Sequence, residues 1–295
     1  MYNNKSIAQL ARNSPAPSLK FGWLPDVPDR RDIPFKLIFR VPAKVPAAVD
    51  LRSKCSPVEQ QGKLGSCTAQ ALVGALEFLE LSAMGGSAGA TSSRHAAKNF
   101  KDLSRLFVYY NERAAMGTVS EDSGAMLRTG IKVLKKFGAC KEDIWPYVIS
   151  RFTEKPPKAC YREASAHQVT AYQRLSSLSE MKACLALGLP FVFGFAVYES
   201  AMTYKIRKSG VIPMPRTNER MIGGHAVMAV GYDDKKEIFS FRNSWGIDWG
   251  RSGYGALPYA YLESRELSDD FWCIQATENN LYALRQNVPN RRLYS

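Results

Sequence analysis

Hydrophobic positions follow three different patterns along this chain. Up to about residue 45 no period is sustained, and "FGWLPDVPDRRDIPF" (21–35) carries prolines at 25, 28 and 34 that favour an extended, irregular path. Its aromatic residues Phe21, Trp23 and Phe35 indicate a segment lying on the rest of the protein, and "KLIFRV" after it reads as a short strand. From Cys67 the pattern turns helical, with Ala69, Leu72, Val73, Leu76 and Leu79 at three- and four-residue steps and hence on one buried face. "LSAMGGSAGATSS" (81–93) is a small-residue loop. Helix resumes through "NFKDLSRLFVYYNERAA" and "GAMLRTGIKVLKKFG", the latter closed by Gly138 as a cap.

After about residue 165 the runs shorten to strand length: "HQVTAYQRL", "PFVFGFAVY", "HAVMAVGYD" and "EIFSFRNSW", separated by Gly, Pro, Asp and Lys turns. One short helix, "SLSEMKACLALG" (177–188), interrupts them. A helical half followed by a β-rich half is an α+β arrangement. The expected division is an N-terminal extension (1–45), a mainly helical domain (46–165), a mainly antiparallel β domain (166–285) and a tail (286–295). A cleft between two such halves is a common place for an active site.

Composition narrows the function classes. The chain has 40 Lys and Arg against 27 Asp and Glu, a net charge of +13. The basic residues are scattered in short runs such as "KVLKKFGACK" and "YKIRK", with no RNP-like or zinc-knuckle pattern, which favours a basic enzyme over a nucleic-acid binder. Six cysteines include no CxxC pair, and no HExxH is present, so neither a metal nor another cofactor is expected. They are also too sparse for a disulfide scaffold. No segment approaches the ~20 apolar residues that span a bilayer. "MYNNKSIAQLARNSPAPS" lacks the apolar core of a secretory signal, so a cytoplasmic location is the default expectation, with export by another route left open.

Within that frame Cys67 stands out. It sits where "QQGKLGSC" passes into the helical run, and the first turn of a helix stabilises a thiolate through unpaired N–H groups and partial positive charge. Position alone also suits an inert core cysteine, so a base is needed. Of three histidines, His95 and His167 lie in polar stretches and read as surface residues, whereas His225 follows "GG" and opens the apolar strand "HAVMAVGYD". "DDKKE" (233–237) is a turn and "IFSFRNSW" the returning strand, so an antiparallel hairpin brings Asn243 beside His225 within a residue or two of register. An amide there holds the imidazole in one tautomer, and Trp245 can cover the bond. Gln61 and the backbone N–H of Cys67 supply donors for an oxyanion. Nucleophile, base and orienter are the parts of covalent acyl transfer.

With these residues assembled, the sequence resembles the papain-like cysteine peptidases over about residues 45 to 285. "VDLRSKCSPVEQQGKLGSC" is similar to the family's mature start and Gln…Gly-Ser-Cys signature, and "HAVMAVGYD" and "FRNSWGIDWGRSGYG" to its histidine and asparagine segments. Papain places those residues roughly 130–150 positions after its cysteine; here they follow at 158 and 176, which implies loop insertions. The resemblance implies a helical domain facing an antiparallel, barrel-like β domain, with endopeptidase action on polypeptides in the groove between. It makes Cys67 the nucleophile, His225 the base and acid, Asn243 the orienter and Gln61 the oxyanion donor. Trp245 and Trp249 would flank the leaving-group side. From "EDSGAML", Gly124 would pair with the extended substrate, with Ser123, Gly65 and Gly224 flanking it.

The chain also departs from the family. Leu64 stands where a disulfide cysteine is usual, Thr68 replaces an aromatic residue, and Cys160 and Cys273 align with half-cystines whose partners the sequence does not reveal. That fits a disulfide-poor, bacterial-type branch with reduced, buried cysteines. Glu278 aligns with an acid that some members place under the pocket for the second acyl-side residue, where it would accept Arg or Lys; a solvated surface glutamate is the competing reading. The extension is shorter than family prosegments. It either packs near the cleft as an intramolecular inhibitor, as in a zymogen, or straps the back of the β domain. An acyl transferase on the same catalytic logic is the alternative function, and a non-catalytic basic binding protein a more distant one.

Overall fold

The computed structural model describes residues 20–84 and 100–276. His95, Glu278 and the tail at 286–295 lie outside the described residues.

The centre of the molecule is helix α2 (Cys67–Met84), which follows a single helical turn α1 (Phe35–Ile38) and a three-residue strand β1 (Ala48–Asp50). Every residue from Cys67 to Leu79 is buried, so α2 is covered on all sides and not on one face as its spacing alone suggests. It packs against the sheet on one side and against α3 (Arg105–Met116) and α4 (Leu127–Lys136) on the other. The small and apolar composition of "CTAQALVGALEFL" allows this, since an all-round apolar helix belongs in a core. α3 starts on Ser104, whose hydroxyl accepts from Phe107 N–H, and ends on Gly117 in the left-handed region. Gly138 beyond α4 has φ +79°, and a Cβ there would lie 1.9 Å from the Ala164 carbonyl oxygen, so the position admits only glycine.

The second half adds α5 (Lys158–Ala164), β2 (Val169–Arg174), α6 (Leu178–Ala186), β3 (Phe191–Tyr198), α7 (Tyr204–Ser209), β4 (Met221–Asp233), β5 (Ile238–Arg242), β6 (Tyr254–Pro258), α8 (Tyr259–Glu263) and β7 (Ser268–Ala276). The fold is papain-like α+β. Its antiparallel sheet runs in the order β2-β7-β3-β4-β5-β6, with β1 also paired to β4, and the path is open rather than closed into a barrel. β1, from the mainly helical half, therefore adds a strand to the β half.

One expectation fails outright. "KLIFRV" is not a strand, because Pro34 (φ −64°) leads into the helical turn that stacks Phe35 on Phe39, ring centroids 4.6 Å apart, with Phe35 wholly buried. All six cysteines are free thiols: Cys55 is half-buried and the other five are buried. Cys160 lies against Cys140, and Cys273 against Cys184, which supplies the neighbours that the spacing did not reveal.

Glu77 on α2 ties the helical layer together. It accepts from Ser56 Oγ at 2.6 Å and from Leu103 N–H at 2.9 Å, with the Arg242 guanidinium nearby offsetting a burial that pushes its carboxyl up to about 7. Removing such a partner leaves buried donors and a buried charge uncompensated. Glu77→Ala is expected to lower unfolding free energy by about 3 kcal/mol, read from the urea midpoint at unchanged slope.

Candidate active site

Cys67 is the first residue of α2 and fully buried. Its thiol lies against the main-chain N–H groups of Thr68, Ala226 and Gly22. Ala226 follows His225 on β4, so the helix start and that strand meet at the thiol. Beneath it, Thr68 donates to Glu112 at 2.9 Å, filling the place of the expected aromatic side chain with a buried polar pair.

His225 Nε2 lies 2.8 Å from Asn243 Oδ1. The same Oδ1 accepts Ser244 N–H at 2.8 Å, which fixes the amide with its oxygen towards the ring. Nε2 therefore carries the proton, and Nδ1, buried and without a partner among the described residues, keeps its lone pair. Trp245 stacks on the imidazole (4.6 Å, 27°) and Trp249 meets Trp245 edge-on at 5.1 Å. Phe195 closes another side of the ring at 5.6 Å.

Gln61 joins this cluster through a crossing between the two halves. Its N–H donates to Ser244 C=O at 2.9 Å, Gly246 N–H donates to Glu59 C=O at 3.0 Å, and Ser244 Oγ donates to Gln61 Oε1 at 2.7 Å. With Oε1 held by Ser244, Nε2 must point the other way, towards the cleft, where it donates to the carbonyls of Lys20 and Leu64, each at 3.0 Å. Sequence reasoning did not find Ser244. Nor did it find Asp122, which accepts Gly65 N–H at 3.0 Å and the Tyr109 hydroxyl at 2.5 Å while that hydroxyl accepts Gly124 N–H. Asp122 adjoins Ser123 and Gly124 in the quoted motif, so position alone pointed to it. Ser123 Oγ turns to the Gly124 carbonyl at 3.1 Å.

The cleft is filled by the chain's own residues 20–26. Phe21 packs edge-on to His225 and Trp245 at 6.3 and 6.1 Å. Gly22 lies so close to Gly65 that a Cβ on it would fall 1.8 Å from the Gly65 carbonyl oxygen. Trp23 N–H donates to Gly224 C=O at 3.0 Å, while Ala125 N–H donates to Gly22 C=O and Leu24 N–H to Ala125 C=O at 2.8 and 2.9 Å. The groups that pair with an extended chain thus belong to Ala125, not Gly124, whose missing side chain makes room for the Gly22 carbonyl. Residues 32–39 do something different: Asp32 pairs with Arg128, Ile33 C=O accepts from Arg174 N–H, and Phe35 is core. Residues 20–26 thus lie in the cleft, and the chain from Asp32 onward straps onto Arg128, Arg174 and the core.

This cover sets the electrostatics. Burial pushes the Cys67 thiol up to about 12. Burial also lowers His225 to about 4, against the opposing effect of the Asn243 bond. Both groups are neutral in this closed arrangement. His167, by contrast, is a structural ion-pair partner, its Nδ1 2.8 Å from Glu80.

Comparison with known proteins agrees with the geometry. Residues 45–263 match the model of the papain family cysteine proteases. An uncharacterized peptidase C1-like protein of Acanthamoeba polyphaga mimivirus is 38% identical over 88% of this chain and 87% of its own length. Pro-cathepsin H of Mus musculus is 29% identical over 71% of this chain, which spans 59% of that protein. Among solved structures, xylellain, a cysteine protease from Xylella fastidiosa, superposes with a TM-score of 0.74 at 40% identity, covering 88% of this chain and 96% of that one. A thiol at a helix start, an oriented imidazole and a family match across most of the chain converge: this chain belongs to the papain family of cysteine proteases.

Proposed function

We propose that the chain is a cysteine endopeptidase whose residues 20–26 hold it latent. The observation that carries the first part is the fixed tautomer of His225, whose unpartnered Nδ1 is left as a base at a cluster that includes Cys67. Nδ1 takes the thiol proton, and the thiolate adds to a peptide carbonyl. Gln61 Nε2 and the Cys67 N–H stabilise the oxyanion, because both donors are preorganised and neither needs to reorient as charge develops. The imidazolium then protonates the departing amine, leaving an acyl-enzyme that water hydrolyses with His225 as base.

Latency is supported by where the segment lies and which way it runs. It passes from Phe21, against His225 and Trp245, across Gly22 at Gly65, to Trp23 at Gly224 and Ala125. The Trp23–Ala125 pairing is parallel. A cleavable peptide has its acyl part along Gly124–Ala125 and its amine towards Trp245, so the segment lies backwards and offers no scissile carbonyl in register. A Lys20 carbonyl occupies the Gln61 amide instead.

Hydrolysis of a fluorogenic Z-Phe-Arg peptide in reducing buffer tests both parts. Cys67→Ala is expected to lower turnover by roughly 10⁴-fold or more; a smaller effect assigns the nucleophile elsewhere. Trp23→Ala, which removes the segment's largest anchor, is expected to raise turnover of the full chain by roughly tenfold or more. Unchanged turnover would show that the segment does not govern access.

A further inference from the structure

The slot that takes Trp23 is built by three adjacent strands. Gly194 on β3 and Gly224 on β4 form its walls: a Cβ at Gly194 would fall 1.9 Å from the indole ring, and one at Gly224 would fall 2.8 Å from it. Asp270 on β7 forms the floor and is wholly buried. Its Oδ2 accepts the Trp23 indole N–H at 3.0 Å and the Asp26 main-chain N–H at 2.8 Å, so both of its bonds go to the segment. Its Oδ1 faces Arg174 Nη2 at 3.1 Å. Asp270 has φ +59°, where an L side chain is strained, next to a shift in the β3–β7 register between Val192 and Gly194. That irregularity separates it from Asp269, which is partly exposed and pairs with the same arginine.

We propose that Asp270 is a specificity-determining residue: on the acyl side of the scissile bond, this slot selects a flat aromatic side chain bearing an N–H donor, tryptophan first. The proposal rests on the peptidase reading above and names its preferred substrates. Once the segment leaves, Oδ2 on the slot's floor has lost both donors, and a ligand that fills the slot without replacing them leaves that acceptor buried and unsatisfied. Two glycine walls suit a planar ring better than a branched or flexible chain. Arg174 already stands against the carboxylate, so the slot asks for a hydrogen bond and not for a cation. The side chain concerned belongs to the substrate residue next to the one lying over Cys67, since Gly22 and Trp23 occupy those two places.

The test uses the full chain with Trp23→Ala, which vacates the slot, and Z-X-Arg coumarylamides. X is Trp, 3-benzothienylalanine (the same bicycle with sulfur for N–H), Phe or Lys. Trp is expected to exceed the benzothienyl isostere in kcat/KM by roughly tenfold. Asp270→Asn, which keeps an acceptor oxygen, should preserve most of that ratio; Asp270→Gly, which suits the left-handed backbone, should bring it to about one. Equal turnover of Trp and its isostere with Asp270 intact, a ratio surviving Asp270→Gly, or Lys preferred over Trp would each overturn the proposal. If no variant cleaves any peptide, the peptidase reading fails, and the slot is judged by iodoacetamide labelling of Cys67 in chains that keep residue 23 aromatic. There Trp23→Phe should speed labelling roughly tenfold with Asp270 present and not at all with Asp270→Gly. Equal acceleration in both backgrounds would overturn the slot's preference for the N–H.

Discussion

Among the contacts that join the two halves of this protein, the hydrogen bonds between residues 59–61 and 244–246 set the register at the site. The Cys67 thiol belongs to a helix and the His225 imidazole to a sheet, and no disulfide fixes one against the other. Gln61 N–H on Ser244 C=O and Gly246 N–H on Glu59 C=O supply the register. Ser244 then does double duty: its N–H orients the Asn243 amide and its hydroxyl orients the Gln61 amide. The His225 imidazole and the Gln61 amide are thus aimed by one residue, and a change in the crossing would disturb both together. Because the Asn243 amide is set by a main-chain N–H that can only donate, the tautomer of His225 is a consequence of the backbone.

Burial of α2 on every side is the second constraint. A helix with one wet face can tilt or fray, whereas one enclosed by sheet and helices holds its first residue in place. The same enclosure brings Glu77, Glu112 and Arg113 inside, each needing partners. Glu77 takes Ser56 and Leu103, Glu112 takes Thr68, and Arg113 takes the carbonyls of Val119 and Glu121. The core around the start of α2 is consequently a polar network set in apolar packing, and it leaves little slack at Cys67.

Much of this was legible in the sequence because it depends on local period and short-range pairing. The helices at 105–116 and 127–136, the strands at 191–198 and 221–233, and the neighbourhood of His225 and Asn243 follow from spacing and one hairpin. What was not legible depends on long-range contact. "KLIFRV" has strand composition, yet the burial of Phe35 decides for a helical turn. "SDDFWCIQA" hides a strand because two consecutive acids break its alternation, and the side chain of the second is turned inward only by a bulge and a left-handed residue. Gly194 carries no signal in sequence and Gly224 only the family resemblance; that their missing side chains form one slot is a property of strand order. The extension posed a choice between a path near the cleft and a strap, and a single linear reading had no reason to assign a different path to each part.

That division of labour has a consequence for how the cleft would be uncovered. The strap is part of the fold: Phe35 fills the core, Asp32 holds Arg128, and the Pro46 carbonyl accepts the Tyr232 hydroxyl at 2.5 Å. Excision up to the family-like start near residue 49 would strip these contacts, whereas residues 20–26 make none of them. A plug tethered so closely meets its own cleft at an effective concentration fixed by the tether, not by the amount of protein present. Dilution would then leave the balance between covered and open molecules unchanged, and a competing peptide would have to outbid a neighbour that never diffuses away.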